Sequence, residues 1–245
     1  MALELNGTTG VSLVQDGVVG PKSVQVFTSN GTYTLPDGIG TIIVEVVGGG
    51  GGGACADTSA DSSSPTISDA GGGGGYARKL ITSPSASYTV TVGIGGAGKS
   101  GSGGAGTNGG TTSFGSAVSA TGGTAGQNKF GGGGENVCRE QPGGIGSGGD
   151  INISGGRSTQ SFSIGSVYSG SARAVATVAR GGDSMYGKGS GSSAGVDGSG
   201  AKVNSGLNGT GYGSGGGGTA LLSSSNSSLS GGDGADGIVI VWEFK

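Results

Sequence analysis

The segment Gly93-Ile94-Gly95-Gly96-Ala97-Gly98-Lys99-Ser100 has the spacing G-x-x-x-x-G-K-[ST] and also contains G-x-G-x-x-G, directly after a predicted strand. In a phosphate-binding loop this spacing lets backbone amides cradle the phosphates while the lysine reaches their outer oxygens. That chemistry needs a helix to begin at once, so that its first amides and its dipole face the anion. Here GSGGAGTNGG follows, which cannot be that helix, so the match is read as a product of glycine-rich composition. Histidine is absent, which removes the usual triads and most zinc sites. Cys55 and Cys138 are too few for a structural zinc centre, and each sits in a polar stretch near a glycine run. A disulfide between them is one expectation and two separate thiols the other, because sequence gives no distance. The 15 acidic residues are scattered, and no spacing selects a pair of carboxylates for glycoside hydrolysis. Asp150, Asp183, Asp197 and Asp233 each adjoin Gly and read as turn acceptors before calcium ligands. The expectation is therefore no catalytic site, no metal and no cofactor.

Binding chemistry is better represented. Phe130, Phe162, Tyr168, Tyr186 and Tyr212 lie in loop or glycine-rich territory, and Arg139, Arg157 and Arg173 lie in the same part of the chain. Aromatic rings with guanidinium groups nearby suit recognition of a sugar or a protein loop, provided something rigid gathers them. These eight residues are the candidate binding set. Phe27, Tyr33, Tyr88, Trp242 and Phe244 fall on predicted strands and are assigned to the core, with Tyr76 and Phe114 joining them.

The elements that must position them follow from an unusual composition. The chain has 65 Gly and 5 Pro among 245 residues, with a charged fraction of 11%. Gly holds no strict three-residue period, so collagen is excluded. Ordinary helices are excluded as well, since Gly costs a helix interior about 1 kcal/mol relative to Ala. One Ala-rich stretch near 171–179 has the only helical character. Disorder does not fit, because TIIVEVV (41–47) and GIVIVWEF (237–244) are strongly β-forming. Further strands are predicted at 24–27, 32–35, 76–82, 88–94, 111–114, 117–121 and 238–244, with Asn30-Gly31 as a hairpin signal between the first two. Alternation puts Tyr88, Val90 and Val92 on one face, and Glu243 with Val239 and Val241 opposite Ile238, Ile240 and Trp242.

Pure glycine runs separate these strands at 48–53, 71–75, 131–134 and 215–218. Oligoglycine buries no side chain and loses the most backbone entropy on ordering. Its ordered option is the extended, left-handed form with three residues per turn. Single helices of this kind have no internal hydrogen bonds, but several can bond side by side, and only Gly lets the backbones come close enough. The alternative is flexible linker. The intervening stretches 54–70, 127–130, 135–142, 157–180, 183–188 and 219–230 read as loops carried by that scaffold.

The net charge of −3 and pI near 4.8 give no basic footprint for nucleic acid, and no apolar run is long enough to cross a membrane as a helix. MALELNGTTG has no charged region followed by an apolar run, so no secretory signal is read there.

Residues 26–53 (VFTSNGTYTLPDGIGTIIVEVVGGGGGG) resemble the opening of the glycine-rich domain found at the C-termini of bacteriophage tail-fibre and receptor-binding proteins. GGGGGYARKLITSPSASYTVTVGIGGAG (71–98), GGTTSFGSAVSATGG (109–123) and GADGIVIVWEFK (234–245) continue the likeness, and LNGTTGVS (5–12) is similar to segments that precede tail-fibre tips. The tip adhesins of T-even phages and the glycine-rich ectodomain of the anaplastic lymphoma kinase receptor are similar in segment order. The resemblance implies an all-β protein with a compact jelly-roll-like base, packed polyglycine-II helices, irregular distal loops and essentially no α-helix. It divides the chain into an attachment or oligomerisation segment (1–23) and a receptor-binding domain (24–245). It further implies a non-enzymatic, trimeric virion adhesin that contacts a host polysaccharide or outer-membrane protein and other tail proteins, with no nucleic acid and no membrane insertion. The competing expectations are a structural or ice-binding glycine-rich protein and an adhesion or signalling ectodomain.

Overall fold

The computed structural model describes residues 4–6, 10–12, 20–56, 66–101, 103–127, 136–168, 171–191, 196–197, 203–221 and 229–245. Among these there is no helix, and the strands form antiparallel sheets, so the protein is all-β.

The β-forming runs build a sandwich of two five-stranded sheets. One has the order Ile151–Ile153, Tyr76–Thr82, Thr41–Val47, Ile238–Phe244, Ser23–Phe27. The other runs Gly146–Ser147, Val118–Ala120, Thr112–Phe114, Ser87–Thr91, Gly31–Thr34. Thr41–Val47 lies at the centre of the first sheet because its apolar residues can be covered on both faces. Ile42, Val44 and Val46 point into the sandwich with Val239 and Val241, against Tyr33, Val90, Phe114 and Val118 of the opposite sheet. Tyr88 stacks on Phe114 at a centroid distance of 4.4 Å.

Alternation in the last strand decides the fate of Glu243. Sharing parity with Val239 and Val241, it is carried into the core and is 1% exposed. Burying a carboxylate is costly unless donors surround it. Tyr33 donates its hydroxyl to Glu243 Oε1 (3.0 Å), Gln25 Nε2 donates to the same oxygen (2.8 Å), and the Ser23 hydroxyl donates to Oε2. The same parity puts Trp242 and Phe244 on the outer face, half-buried, so their assignment to the core is corrected. Asn30-Gly31 is not a hairpin either. Ser23–Phe27 pairs with the last strand in one sheet, while Gly31–Thr34 pairs with Ser87–Thr91 in the other. The Asn30 side chain instead accepts the Val92 amide at 2.8 Å.

Beyond Val47 the chain leaves the sandwich and enters a bundle of extended glycine segments. The amides of Gly48, Gly49 and Gly50 donate to Gly75, Gly110 and Ala235 (3.0, 3.0 and 2.9 Å). Those of Gly51, Gly52 and Gly53 return to the same neighbours one turn along, at Gly72, Thr107 and Gly232 (2.9, 3.0 and 2.8 Å). The acceptor on each neighbour steps by three residues, which is the period of a polyglycine-II helix. Carbonyls of 49–53 accept from three further segments, through Gly123 and Gly126, Gly96 and Lys99, and Gly216. The central segment is thus bonded on all sides, and glycine is required for it. A Cβ on Gly50 would overlap the Ser214 carbonyl, and one on Gly73 the Asp183 carbonyl.

In chain order the segments are 48–53, 71–75, 93–99, 104–110, 121–126, 142–145, 154–159, 179–183, 189–191, 205–209, 213–218 and 231–237, and successive ones run in opposite directions. At the bundle margin side chains replace the missing neighbour. Asp236 and Asp233 accept the amides of Gly95 and Gly98 (2.6 and 2.7 Å), Asn108 that of Ala125 (2.8 Å), and Asn208 that of Asp233 (2.8 Å). The Asp and Asn residues beside Gly therefore serve neighbouring segments. Asp150 does likewise, accepting the Leu80 amide at 2.8 Å, so the expectation of local turn acceptors is corrected for these positions.

Candidate functional site

Alternation of direction sorts the connections by end. The sandwich strands and the return pair Tyr186–Lys188 with Thr210–Tyr212 join segments at the near end. Connections 54–70, 100–103, 127–141, 160–178, 192–204 and 219–230 all start and finish at the far end. Two small sheets lie there: Val203–Asn204, Ala220–Leu221, Thr66–Ile67, and Asn136–Val137, Phe162–Tyr168, Ser171–Ala176, Val196–Asp197.

The structure divides the eight candidate residues. Tyr186 and Tyr212 are at the near end and do not belong to a distal surface. Tyr186 donates its hydroxyl to Glu45, meets Tyr76 edge-on at 6.1 Å, and is paired in register with Tyr212. Burial first, then the Glu45 carboxylate, raises the Tyr186 pKa; the same causes push Tyr76 up to about 12. A shallow groove of about 390 Å³ lined by Met185, Tyr186, Lys188 and Thr210 opens beside this strand pair. Phe130 lies outside the described residues. Tyr168 and Arg173 stand on the strands of an antiparallel hairpin, opposite Ser171 and Ser166. Residues 157–180 are therefore not an irregular loop, and the Ala-rich stretch near 171–179 is largely strand. Alternating β-branched and aromatic residues in FSIGSVY favour this, and neighbouring strands supply the partners a single helix would have lacked.

Arg139, Arg157 and Phe162 are brought together. They stand on two adjacent antiparallel stretches, 136–142 and 157–163. Val137 is paired with Phe162, the Cys138 amide donates to Ser161 O (2.9 Å), and the Ser158 amide donates to Gln141 O (3.1 Å). Burial here repeats at three residues, as in the bundle, at 138 and 141 and at 158 and 161, and turns to a two-residue alternation only where the strand begins at Phe162. Cys138, Gln141, Ser158, Ser161 and Ser163 are buried, while Val137, Arg139, Glu140, Arg157, Thr159, Gln160 and Phe162 are exposed. Val137 at 59% and Phe162 at 43% exposure form an apolar step that water covers. The guanidinium groups of Arg139 and Arg157 have no side-chain partner among the described residues, in contrast to Arg180, which reaches Asp183 at 3.3 Å. The two stretches thus form a band that carries an exposed apolar pair at Val137 and Phe162 and, further along in one direction, the exposed Arg139, Glu140 and Arg157, on backbone already held in place.

Behind the band lies Asp69, which is 1% exposed. Its Oδ1 accepts the Arg139 amide (2.9 Å) and its Oδ2 accepts Gln141 Nε2 (2.9 Å), while the Cys138 thiol bonds to the carboxylate. Burial raises the Asp69 pKa from its ordinary value, and these donors offset part of that shift. Next to it, the Ser68 hydroxyl contacts Thr219 Oγ1 (3.0 Å), and the Ala56 amide donates to Thr219 Oγ1 (2.7 Å). Three distal connections are thereby tied together. Val137, Glu140, Asp69 and Gln141 were missed in the sequence, where nothing distinguishes them from other polar or isolated apolar residues of the same stretches.

The cysteines are not joined. Cys55 packs with Leu221 and Leu229, and Cys138 with Ile67 and Ala220, each thiol buried in its own cluster, so the disulfide expectation is corrected. In the P-loop-like segment the amides a phosphate would need are taken up by the bundle: Gly96 donates to Gly50 O (2.8 Å) and Lys99 to Gly53 O (3.0 Å).

A β-sandwich running into a polyglycine-II bundle, with its irregular connections collected at the far end, defines a glycine-rich all-β scaffold. The chain belongs to the glycine-rich domain family, which it matches over residues 26–242. No curated protein matches it in sequence.

Proposed function

We propose that the protein is a bacteriophage tail-fibre or receptor-binding protein, which recognises the host cell surface through the far end of its glycine bundle. One observation carries this reading: the bundle collects six connections at a single end, where Val137, Arg139, Arg157 and Phe162 share an exposed band on rigid backbone. A surface ordered before contact loses less entropy on binding. Display of many copies on a virion multiplies modest single-site affinity by roughly 10²–10⁴. On this reading the chain acts by binding and not by catalysis. It assembles as a homotrimer with other tail proteins, and residues 1–23 serve attachment. The receptor is a surface polysaccharide or an outer-membrane protein.

The test is direct. Fluorescently labelled protein is expected to stain a susceptible bacterial strain and to protect it from infection, and Phe162→Ala and Arg139→Ala are each expected to weaken staining about tenfold or more. Wild-type protein that stains no strain and blocks no infection would overturn the proposal.

A further inference from the structure

The geometry points to Asp69 as the positioning residue of the distal band: its buried carboxylate sets the backbone course of 138–141 and so aims Arg139 and Glu140 outward. The inference rests on the receptor-binding reading and names the part that controls it. Asp69 is 1% exposed and lies at the root of a different connection from the one it holds, 70 residues away in sequence from Arg139. Its carboxylate receives donors from Cys138, Arg139 and Gln141 and from the Gln127 backbone, all on the connection 127–141. Both carboxylate oxygens are used, one by a backbone amide and one by a side-chain amide, which fixes the direction as well as the position of the segment. Gln141 is in turn fixed by its own amide, which donates to Ser158 Oγ (2.8 Å), so the neighbouring stretch that carries Arg157 and Phe162 moves with it.

The stabilising alternative would be an apolar side chain at this site. A buried carboxylate is expensive to desolvate, and buried polar groups of this kind are better at selecting one arrangement than at adding stability. Here the arrangement selected exposes Arg139 and Glu140 and buries Cys138 and Gln141. An Asn at 69 keeps one acceptor for the Arg139 amide but turns the other position into a donor facing the donor Nε2 of Gln141. Replacing Gln141 by Glu at the same time reverses that bond and restores it.

The experiment compares the full chain with Asp69→Asn, Arg139→Ala, the pair Asp69→Asn/Arg139→Ala, and the pair Asp69→Asn/Gln141→Glu. Three readouts are melting temperature, hydrogen exchange at the Arg139 amide, and staining of the strain that wild type stains. Asp69→Asn is expected to keep a cooperative melt, to speed Arg139 exchange at least tenfold, and to lose staining at least tenfold. Asp69→Asn/Gln141→Glu should recover both. Adding Asp69→Asn to Arg139→Ala should cost little more than Arg139→Ala alone, since both act through the same side chain. Wild-type staining and exchange in Asp69→Asn overturn the inference. So does unfolding that Gln141→Glu fails to rescue, or full additivity with Arg139→Ala. Absence of wild-type staining on every strain would instead remove the receptor-binding reading, and the exchange comparison would still decide whether Asp69 orders the band.

Discussion

Tyr186, in a strand pair at the near end of the glycine-rich half, donates its hydroxyl to Glu45 in the middle strand of one sandwich sheet, 141 residues earlier in the chain. Glu45 is 7% exposed, and the half-buried Arg78 approaches it only to 3.9 Å. The tyrosine is thus, with Tyr76, a donor to a buried carboxylate, and it straps the bundle to the outer face of the sheet. Tyr186→Phe removes one of these donors and leaves the charge buried. A loss of roughly 1–3 kcal/mol is expected in urea unfolding, and a change under about 0.5 kcal/mol would show the strap to be incidental.

Glycine inside the bundle is required by backbone contact. Gly50→Val and Gly73→Val each place a side chain on a neighbouring carbonyl that belongs to a segment bonded on several sides. Overpacking of cores typically costs about 1–3 kcal/mol, and the obstruction here is backbone, so loss of the folded state at ambient temperature is expected by circular dichroism. Gly20→Ala, where nothing lies within 4 Å, serves as the control and should be silent within about 0.5 kcal/mol. Silent Val variants would make the runs linkers.

Alkali should loosen the junction between the two halves. Tyr76 titrates at about 12, held up first by burial and then by the Glu45 charge, and Tyr186 and Tyr33 are raised for like reasons. A phenol whose pKa is higher folded than unfolded contributes stability that is complete below the unfolded value of about 10, and loses it as pH climbs through the folded one. Ultraviolet difference titration should show these tyrosines ionising late and together with unfolding. Ionisation of every tyrosine near pH 10 with the fold intact would contradict the buried placement.

Acid has the opposite sign at Asp69. Its raised pKa means that the folded protein takes up the proton before the unfolded chain does, so this site favours the fold more as pH falls towards the carboxylate range and less at neutral pH. The melting temperature of wild type minus that of Asp69→Asn should therefore rise on acidification. A difference that is flat or falls would refute the burial of the charge.

Both thiols should be inert in the native state. Cys55 and Cys138 are buried in separate clusters, so a thiol reagent should label them only on unfolding, and a reductant should leave the melting temperature unchanged. A drop of several degrees on reduction would indicate a bond between them.

Local sequence was enough for the parts governed by local pattern. Thr41–Val47, Tyr76–Thr82 and Ile238–Phe244 match their predicted limits, because an alternating or continuous β-branched run has one favourable conformation and a glycine or turn at each end stops it. The predicted strand 88–94 was too long. Its last residues carry glycine and are bonded into the bundle, and the strand ends at Thr91. The extended state of the glycine runs was legible too, since no other ordered conformation accepts unbroken Gly.

What sequence could not supply was which segment bonds to which. Glycine runs are interchangeable in composition, and the rotation of Gly48, Gly49 and Gly50 among 71–75, 104–110 and 231–237 depends on contacts up to 185 residues apart, as from Gly50 to Ala235. That rotation sends Tyr186 and Tyr212 to the sandwich and Arg139, Arg157 and Phe162 to the other end. Composition and alternation alone determined that the chain would be strands and extended glycine helices with polar connections. Only the tertiary structure decided which end each connection occupies, because the centre of the bundle is joined through backbone N–H and C=O groups, which are the same in every segment.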